Sequence, residues 1–287
     1  MNIHLREYQQ QCIDSIVNAR RGNWLVVMAT GLGKTVTFAN LPRHGRTLIL
    51  SHRRELVTQP RKYFDCPYGI ELGNSKSHGE PVISASIQTM MHRMNKFKPN
   101  DFERIIVDEA HHSAAKSYKQ ILNYFQPEQI VGFTATPNRS DSVRLDDIFQ
   151  DIVFERDLKW GIQQGYLSDI YCRRVNIGYD LSRVKTSGGD YAPGELEEAM
   201  DGTADAIAQA YKDMAVGATL IFAVSVKQSE EIAKRIPNAA IVSGKTPLKE
   251  RQVLIDRLTN GTIPCLVNCM VFTEGTDIPR VETVIIA

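Results

Sequence analysis

The chain has no cysteine pair at C-x-x-C spacing, no apolar run near the ~18 residues that a membrane span needs, and no large charge excess of either sign. Its five cysteines, Cys12, Cys66, Cys172, Cys265 and Cys269, are scattered and have no histidine at zinc-ligand spacing. Cys265 and Cys269 fall in an apolar run and read as buried packing, so no metal site built from cysteine is expected. The polar start MNIHLREYQQQ has no secretory hydrophobic region. Together these absences predict a cytoplasmic, intracellular protein with no membrane partner. The net charge of +1 conceals a mild asymmetry, with 20 cations against 16 anions in residues 1–156 and 14 against 17 in residues 157–287. Any polyanionic partner must therefore be gripped by a local groove rather than by the whole surface.

The composition is otherwise that of a globular protein, 43% hydrophobic and 23% charged over 287 residues, enough for two medium domains. Apolar strand-like runs alternate with helical patterns along the chain. The expected strands in the first part are Leu25 to Met28, Arg46 to Leu50, Pro81 to Ser86, Arg104 to Glu109 and Ile130 to Phe133, after a helix over Leu5 to Val17. This alternation predicts a parallel sheet between helices. Residues 141–165 read as helical pieces, Tyr166 to Ile177 as an extended segment, and Val184 to Gly194 as a flexible loop. A second α/β alternation follows from Thr203 onward, and the domain boundary is placed near Asp157, giving domains over 1–156 and 157–287.

The stretch WLVVMATGLGKTVT, Trp24 to Thr37, carries the chemistry. An apolar strand runs into a loop with Gly31 and Gly33, and then Lys34 and Thr35 open a helix. Glycines let backbone N–H groups turn inward, and the helix N-terminus adds partial positive charge. Lys34 is suited to the β/γ-phosphates and the Thr35 hydroxyl to Mg²⁺. Met28 stands where the strict phosphate-loop pattern has glycine, so the match is to its second half. RIIVDE places two carboxylates at a strand tip: Asp108 to hold Mg²⁺ through water, Glu109 to polarise an attacking water. The alternative is a charge pair at a helix N-terminus. His111 reads as a coupling residue near the nucleotide, since adjacent histidines seldom face one ion. Thr134, Ala135 and Thr136 end a strand near the carboxylates. Gln9 is either a reader of an adenine edge or an exposed helix glutamine. Ser51, His52, Arg53, Gln88 and Thr89 fall just past strand ends, where open parallel sheets bind ligands; helix capping or solvated charge is the alternative for each.

In order along the chain, L-R-x-Y-Q (5–9), A-T-G-L-G-K-T (29–35), S-H-R-R-E-L (51–56), S-I-Q-T (86–89), D-E-A-H (108–111), T-A-T-P (134–137), I-F-A-V-S (221–225), V-S-G (242–244) and T-E-G-T-D-I-P (273–279) resemble the motifs of superfamily 2 helicases of DEAH type. The G-Y-L at 165–167 is similar to the RadD and XPB-like branch. The resemblance implies two tandem RecA-like domains, the second incomplete at its C-terminus, with ATP and Mg²⁺ between them and nucleic acid across both. It implies ATP contacts from Arg6, Gln9, Thr30, Gly31, Leu32, Gly33, Lys34, Thr35, Gly275 and Asp277, hydrolysis by Lys34, Asp108, Glu109 and His111, and coupling through Thr134 to Thr136. Nucleic-acid contacts are implied for Arg53, Gln88, Thr89, Ser243, Gly244 and Thr273. The implied activity is an ATP-dependent helicase or translocase, with DNA, single-stranded or branched, favoured over RNA. The last motif of that family, Q-x-x-G-R-x-x-R, does not occur in these residues. The expectation is therefore weak hydrolysis by residues 1–287 alone unless a longer chain or protein partner supplies the arginine, with Arg280 the nearest substitute. The alternative is a hydrolysis-poor nucleic-acid-binding module.

Overall fold

The computed structural model describes residues 4–113, 115–137, 145–182, 184–187, 190–272 and 278–287. The chain forms two compact units, Met1–Ile170 and Tyr171–Ala287.

The first unit opens with helix α1 (Glu7–Ala19), then β1 (Gly22–Met28), α2 (Lys34–Ala39), β2 (Thr47–Ser51), α3 (Arg54–Thr58), β3 (Tyr68–Glu71), β4 (Val82–Ser86), α4 (Ile87–Arg93), β5 (Arg104–Asp108), α5 (Lys116–Tyr124), β6 (Gln129–Thr134), β7 (Asp151–Arg156) and α6 (Leu158–Gln163). Its sheet has seven strands in the order β3-β4-β2-β5-β6-β1-β7, every neighbouring pair parallel. Both faces are covered by helices, so strands β2, β4, β5 and β6 are buried at every position, and the apolar residues of the central strands alternate between two cores. Leu25, Val27, Leu48, Leu50, Ile105 and Val107 enter one core. Val26, Met28, Ile49, Ile106, Val131 and Phe133 enter the other. All strands run the same way, so Met28, Ser51, Ser86, Asp108 and Thr134 end along one edge.

The expected strands are all present. Two more were not anticipated, β3 and β7, and residues 151–156 form the edge strand β7 where helical pieces were expected. Phe154 is the one buried residue of that strand and the rest are exposed or half-buried, which suits an edge strand paired on one side only. The first unit also runs past Arg156 to Ile170, because α6 packs back onto α1: the Trp160 ring lies 5.1 Å from Tyr8 in an edge contact.

The second unit begins with the short hairpin β8 (Thr186–Ser187) and β9 (Asp190–Tyr191), inside the stretch Val184 to Gly194 expected to be a loop, then α7 (Pro193–Ala199), which overlaps the end of that stretch, α8 (Ala204–Met214), β10 (Ala218–Phe222), α9 (Val226–Arg235), β11 (Ala240–Val242), α10 (Leu248–Thr259), β12 (Cys265–Asn268) and β13 (Val281–Ile286). Its parallel sheet has the order β11-β12-β10-β13. Ile207 and Ile232 cover Ile221 and Val267 on one side, and Leu254 and Leu258 cover Leu220 and Leu266 on the other. Cys265 is buried in this core, and burial pushes its thiol up to about 12. Among the described residues no helix is long and apolar enough to cross a membrane.

Gly132, in the middle of β6, packs directly under Phe149: a β-carbon there would come 2.4 Å from Phe149 Cζ and 2.9 Å from Ala110 Cβ. Overpacking of this kind costs about 1–3 kcal/mol. Gly132→Ala should lower the urea midpoint accordingly, and adding Phe149→Leu should recover part of the loss; an unchanged midpoint would contradict this packing.

Candidate active site

The phosphate loop is the turn between β1 and α2. Gly31 and Gly33 take φ of +87° and +82°, conformations that side chains disfavour. Helix α1 braces the loop from below. The Tyr8 hydroxyl donates to the Leu32 carbonyl at 2.8 Å, and Gln9 Nε2 donates to the same oxygen at 3.1 Å. Gln9 Oε1 accepts from the Arg6 N–H at 3.0 Å. Gln9 is only 5% exposed, so it is no solvated helix glutamine. Lys34 Nζ donates to the Met28 carbonyl at 3.4 Å, which lays the ammonium across the loop.

The two carboxylates stand beside it. Asp108 ends β5 and is 4% exposed. Burial, with the neighbouring Glu109 charge adding to it, raises its carboxyl from 3.8 to about 7, although Lys34 and the Glu109 N–H at 3.1 Å pull the other way. Glu109 turns the chain off the strand with a φ of +52°, a conformation worth of order 1 kcal/mol of strain for a residue with a side chain. One carboxylate oxygen then lies 3.8 Å from Lys34 Nζ and the other 3.5 Å from His111 Nδ1.

His111 Nδ1 also meets Thr134 Oγ1 at 3.1 Å. That hydroxyl donates to the Thr136 carbonyl at 3.0 Å and accepts from the Thr136 N–H at 3.2 Å. A hydroxyl has one proton to give. With that proton directed to Thr136, the Thr134 oxygen suits the His111 tautomer that carries its proton on Nδ1, the nitrogen that also faces Glu109. Lys34, Glu109, His111 and Thr134, drawn from three separate stretches of the sequence, form one continuous chain of polar contacts. The His112 ring packs, tilted, between those of His111 and His52, with centroids 4.2 and 4.0 Å away, and so ties the loop after β5 to that after β2.

The other expected site residues are distributed as follows. Thr30 is exposed and Thr35 half-buried at the loop. Arg6 is exposed, with its guanidinium 5.1 Å over the Tyr166 ring. Arg53 Nε donates to His52 Nε2 at 3.2 Å. Gln88 is exposed. Thr89 belongs to a capping network: its N–H donates to Ser86 Oγ at 3.2 Å, and its hydroxyl accepts from Gly73 N–H at 3.3 Å. In the second unit, the Ser243 N–H donates to Thr246 Oγ1 at 3.0 Å, and Arg251 Nη2 donates to the Gly244 carbonyl at 3.3 Å. Thr273, Gly275 and Asp277 lie outside the described residues. Asn268, which the motif pattern had not marked, is fully buried at the end of β12; its Oδ1 accepts from the N–H groups of Val271 and Phe272 at 3.0 and 2.9 Å and so fixes the turn that follows β12.

Residues 2–139 match the family described as "Type III restriction enzyme, res subunit", and residues 202–287 match "Helicase conserved C-terminal domain". The chain belongs to superfamily 2 of the helicases. IRC3 of Saccharomyces cerevisiae, provisionally named an ATP-dependent helicase, is 34% identical over 98% of this chain and 46% of its own length. The "DNA 3'-5' helicase XPB" of Kineococcus radiotolerans is 28% identical over 98% of this chain and 53% of its own. The chain thus spans about half the length of these curated relatives. The helicase domain of Pyrococcus furiosus Hef shares the fold, with a TM-score of 0.60 at 15% identity over 98% of this chain and 89% of that one. The two units of this chain are therefore tandem RecA-like domains.

Asp108 carries a consequence for stability. Its native pKa near 7 lies above the unfolded value, so its full contribution to stability is present only below about pH 4 and is lost as pH rises through 7, a cost of roughly 4 kcal/mol at alkaline pH. In the nucleotide-free chain, Asp108→Asn should raise the melting temperature by several degrees at pH 8, with the gain shrinking as pH falls toward 4. A pH-independent difference would mean that Asp108 is not held in this buried form.

Proposed function

We propose that this chain is the motor portion of an ATP-dependent DNA helicase or translocase. The observation that carries the reading is the continuous contact chain Lys34, Glu109, His111, Thr134. It joins a phosphate-binding cation to a candidate base, and that base to the strand tip expected to transmit the chemical step. Similarity to a protein named a DNA 3'-5' helicase supports DNA as the substrate.

The residues present fit Mg·ATP. The loop bends at two left-handed glycines, a cation lies across it, and Asp108 is a carboxyl whose burial leaves it in need of a positive partner. Thr35 and Asp108, the latter through water, would hold Mg²⁺, which when bound neutralises charge on the phosphate oxygens. Lys34 exchanges its contact with Glu109 for the β/γ-phosphates. Glu109, released from Lys34 and still held by His111 Nδ1–H, accepts the proton of the attacking water. Arg53, Gln88 and Thr89 in the first unit, with Ser243, Gly244 and Thr273 in the second, contact the nucleic-acid backbone.

Replacing the cation should remove charge-assisted bonds to phosphate: Lys34→Ala should weaken Mg·ATP binding by roughly 10–100-fold in a calorimetric titration. Glu109→Gln should keep that affinity while lowering turnover by about 10²–10⁴-fold; equal turnover would remove Glu109 from the role of base. Because the candidate nucleic-acid contacts are small polar groups and one arginine rather than a base-reading helix, binding to single-stranded DNA should weaken with salt and ignore sequence. Anisotropy titrations with oligonucleotides of equal length check this, and a strong sequence preference would count against it.

A further inference from the structure

Helix α6 is capped at both ends in a way that folds the following residues back onto the phosphate loop. Asp157 Oδ1 accepts from the Trp160 N–H at 2.7 Å at the start. At the other end Gly165 takes a φ of +71°, its N–H donating to Ile162 and the Tyr166 N–H donating to Gly161, each at 2.9 Å. This is the paired hydrogen-bond pattern of a Schellman stop, which requires glycine or a near equivalent at the left-handed position.

The reversal delivers Leu167 to the loop. A β-carbon on Gly31 would come 2.8 Å from Leu167 Cδ2, and one on Gly161 would come 2.6 Å from Leu167 Cδ1, so the leucine sits on the bare backbone of two glycines. Tyr166 packs against Tyr8 and Trp160, with ring centroids at 4.7 and 5.5 Å. Tyr8 in turn holds the Leu32 carbonyl. Two consecutive loop residues, Gly31 and Leu32, are thus fixed by Leu167 and Tyr8.

From this we infer that Tyr8 and Leu167 are positioning residues for the nucleotide, and that the Trp160–Leu167 segment is a clamp that responds when the phosphate loop is filled. The inference rests on the nucleotide-binding reading above. A loop with two left-handed glycines has much backbone freedom to lose on binding phosphate, and a clamp that removes that freedom beforehand raises affinity. The chain leaves the first unit at Ile170, three residues beyond Leu167, so a shift of the loop also moves the start of the path to the second unit.

The protein's two tryptophans, Trp24 and Trp160, make the test direct. In the full chain carrying Trp24→Phe, Trp160 is the sole emitter, and titration with Mg·ADP should give a saturable change in its emission. Leu167→Ala in that background should weaken Mg·ADP binding by about fivefold to tenfold in calorimetry and suppress the emission change, and Leu167→Met should restore both. Calorimetric binding with no change in Trp160 emission, or unchanged affinity in a folded Leu167→Ala chain, would overturn the clamp while leaving the nucleotide site standing. No Mg·ADP binding by the unaltered chain would overturn both.

Discussion

Charged groups at the tip of an apolar sheet have to find one another. The strands that carry Asp108 and Glu109 to the sheet edge are buried at every position, and burial is what lifts the Asp108 carboxyl toward neutrality. Lys34 is the cation set against that acid pair, only 10% exposed at its side chain and 3.8 Å from Glu109. Neither charge is stable in such a place alone. The arrangement therefore holds three loop ends in register, and it is a poised state rather than a rigid one: a contact of 3.8 Å between partly buried ions is readily exchanged for a phosphate group.

The rest of the first unit serves that constraint. The left-handed Glu109 turns its two carboxylate oxygens toward different partners, Lys34 and His111. Nδ1 of His111 then passes the connection to Thr134. On the opposite side, Tyr8 and Gln9 hold the loop through one shared carbonyl, that of Leu32. The second unit shows the same economy at Asn268, whose side-chain oxygen fixes the backbone N–H groups of Val271 and Phe272 just after β12.

Much of this was legible in the sequence because its signals are local. Continuous apolar runs ending in polar tips marked β1, β2, β4, β5 and β6, and G-L-G-K-T and D-E-A-H marked the ends that carry chemistry. What escaped was whatever depends on a partner elsewhere. The β7 strand carries charges that suit an edge, and nothing local distinguishes it from a helix until β1 is there to pair with. Helix α7 begins with Pro193 and Gly194 and so resembled a loop. The boundary at Asp157 was natural by pattern, but Asp157 caps a helix that packs back through Trp160 onto Tyr8. Gln9 read equally well as an adenine contact or a surface residue, because its bond to Leu32 spans 23 residues.

The central claim is that the phosphate loop, the acid pair and the Thr134 strand tip act as one unit through His111. A double-mutant cycle on Glu109→Gln and Thr134→Val, read as the dissociation constant for Mg·ADP, tests it directly, since both residues contact His111 Nδ1. The account predicts a coupling energy of at least about 0.5 kcal/mol between the two substitutions. Strict additivity would contradict it, leaving three neighbouring motifs with no energetic connection.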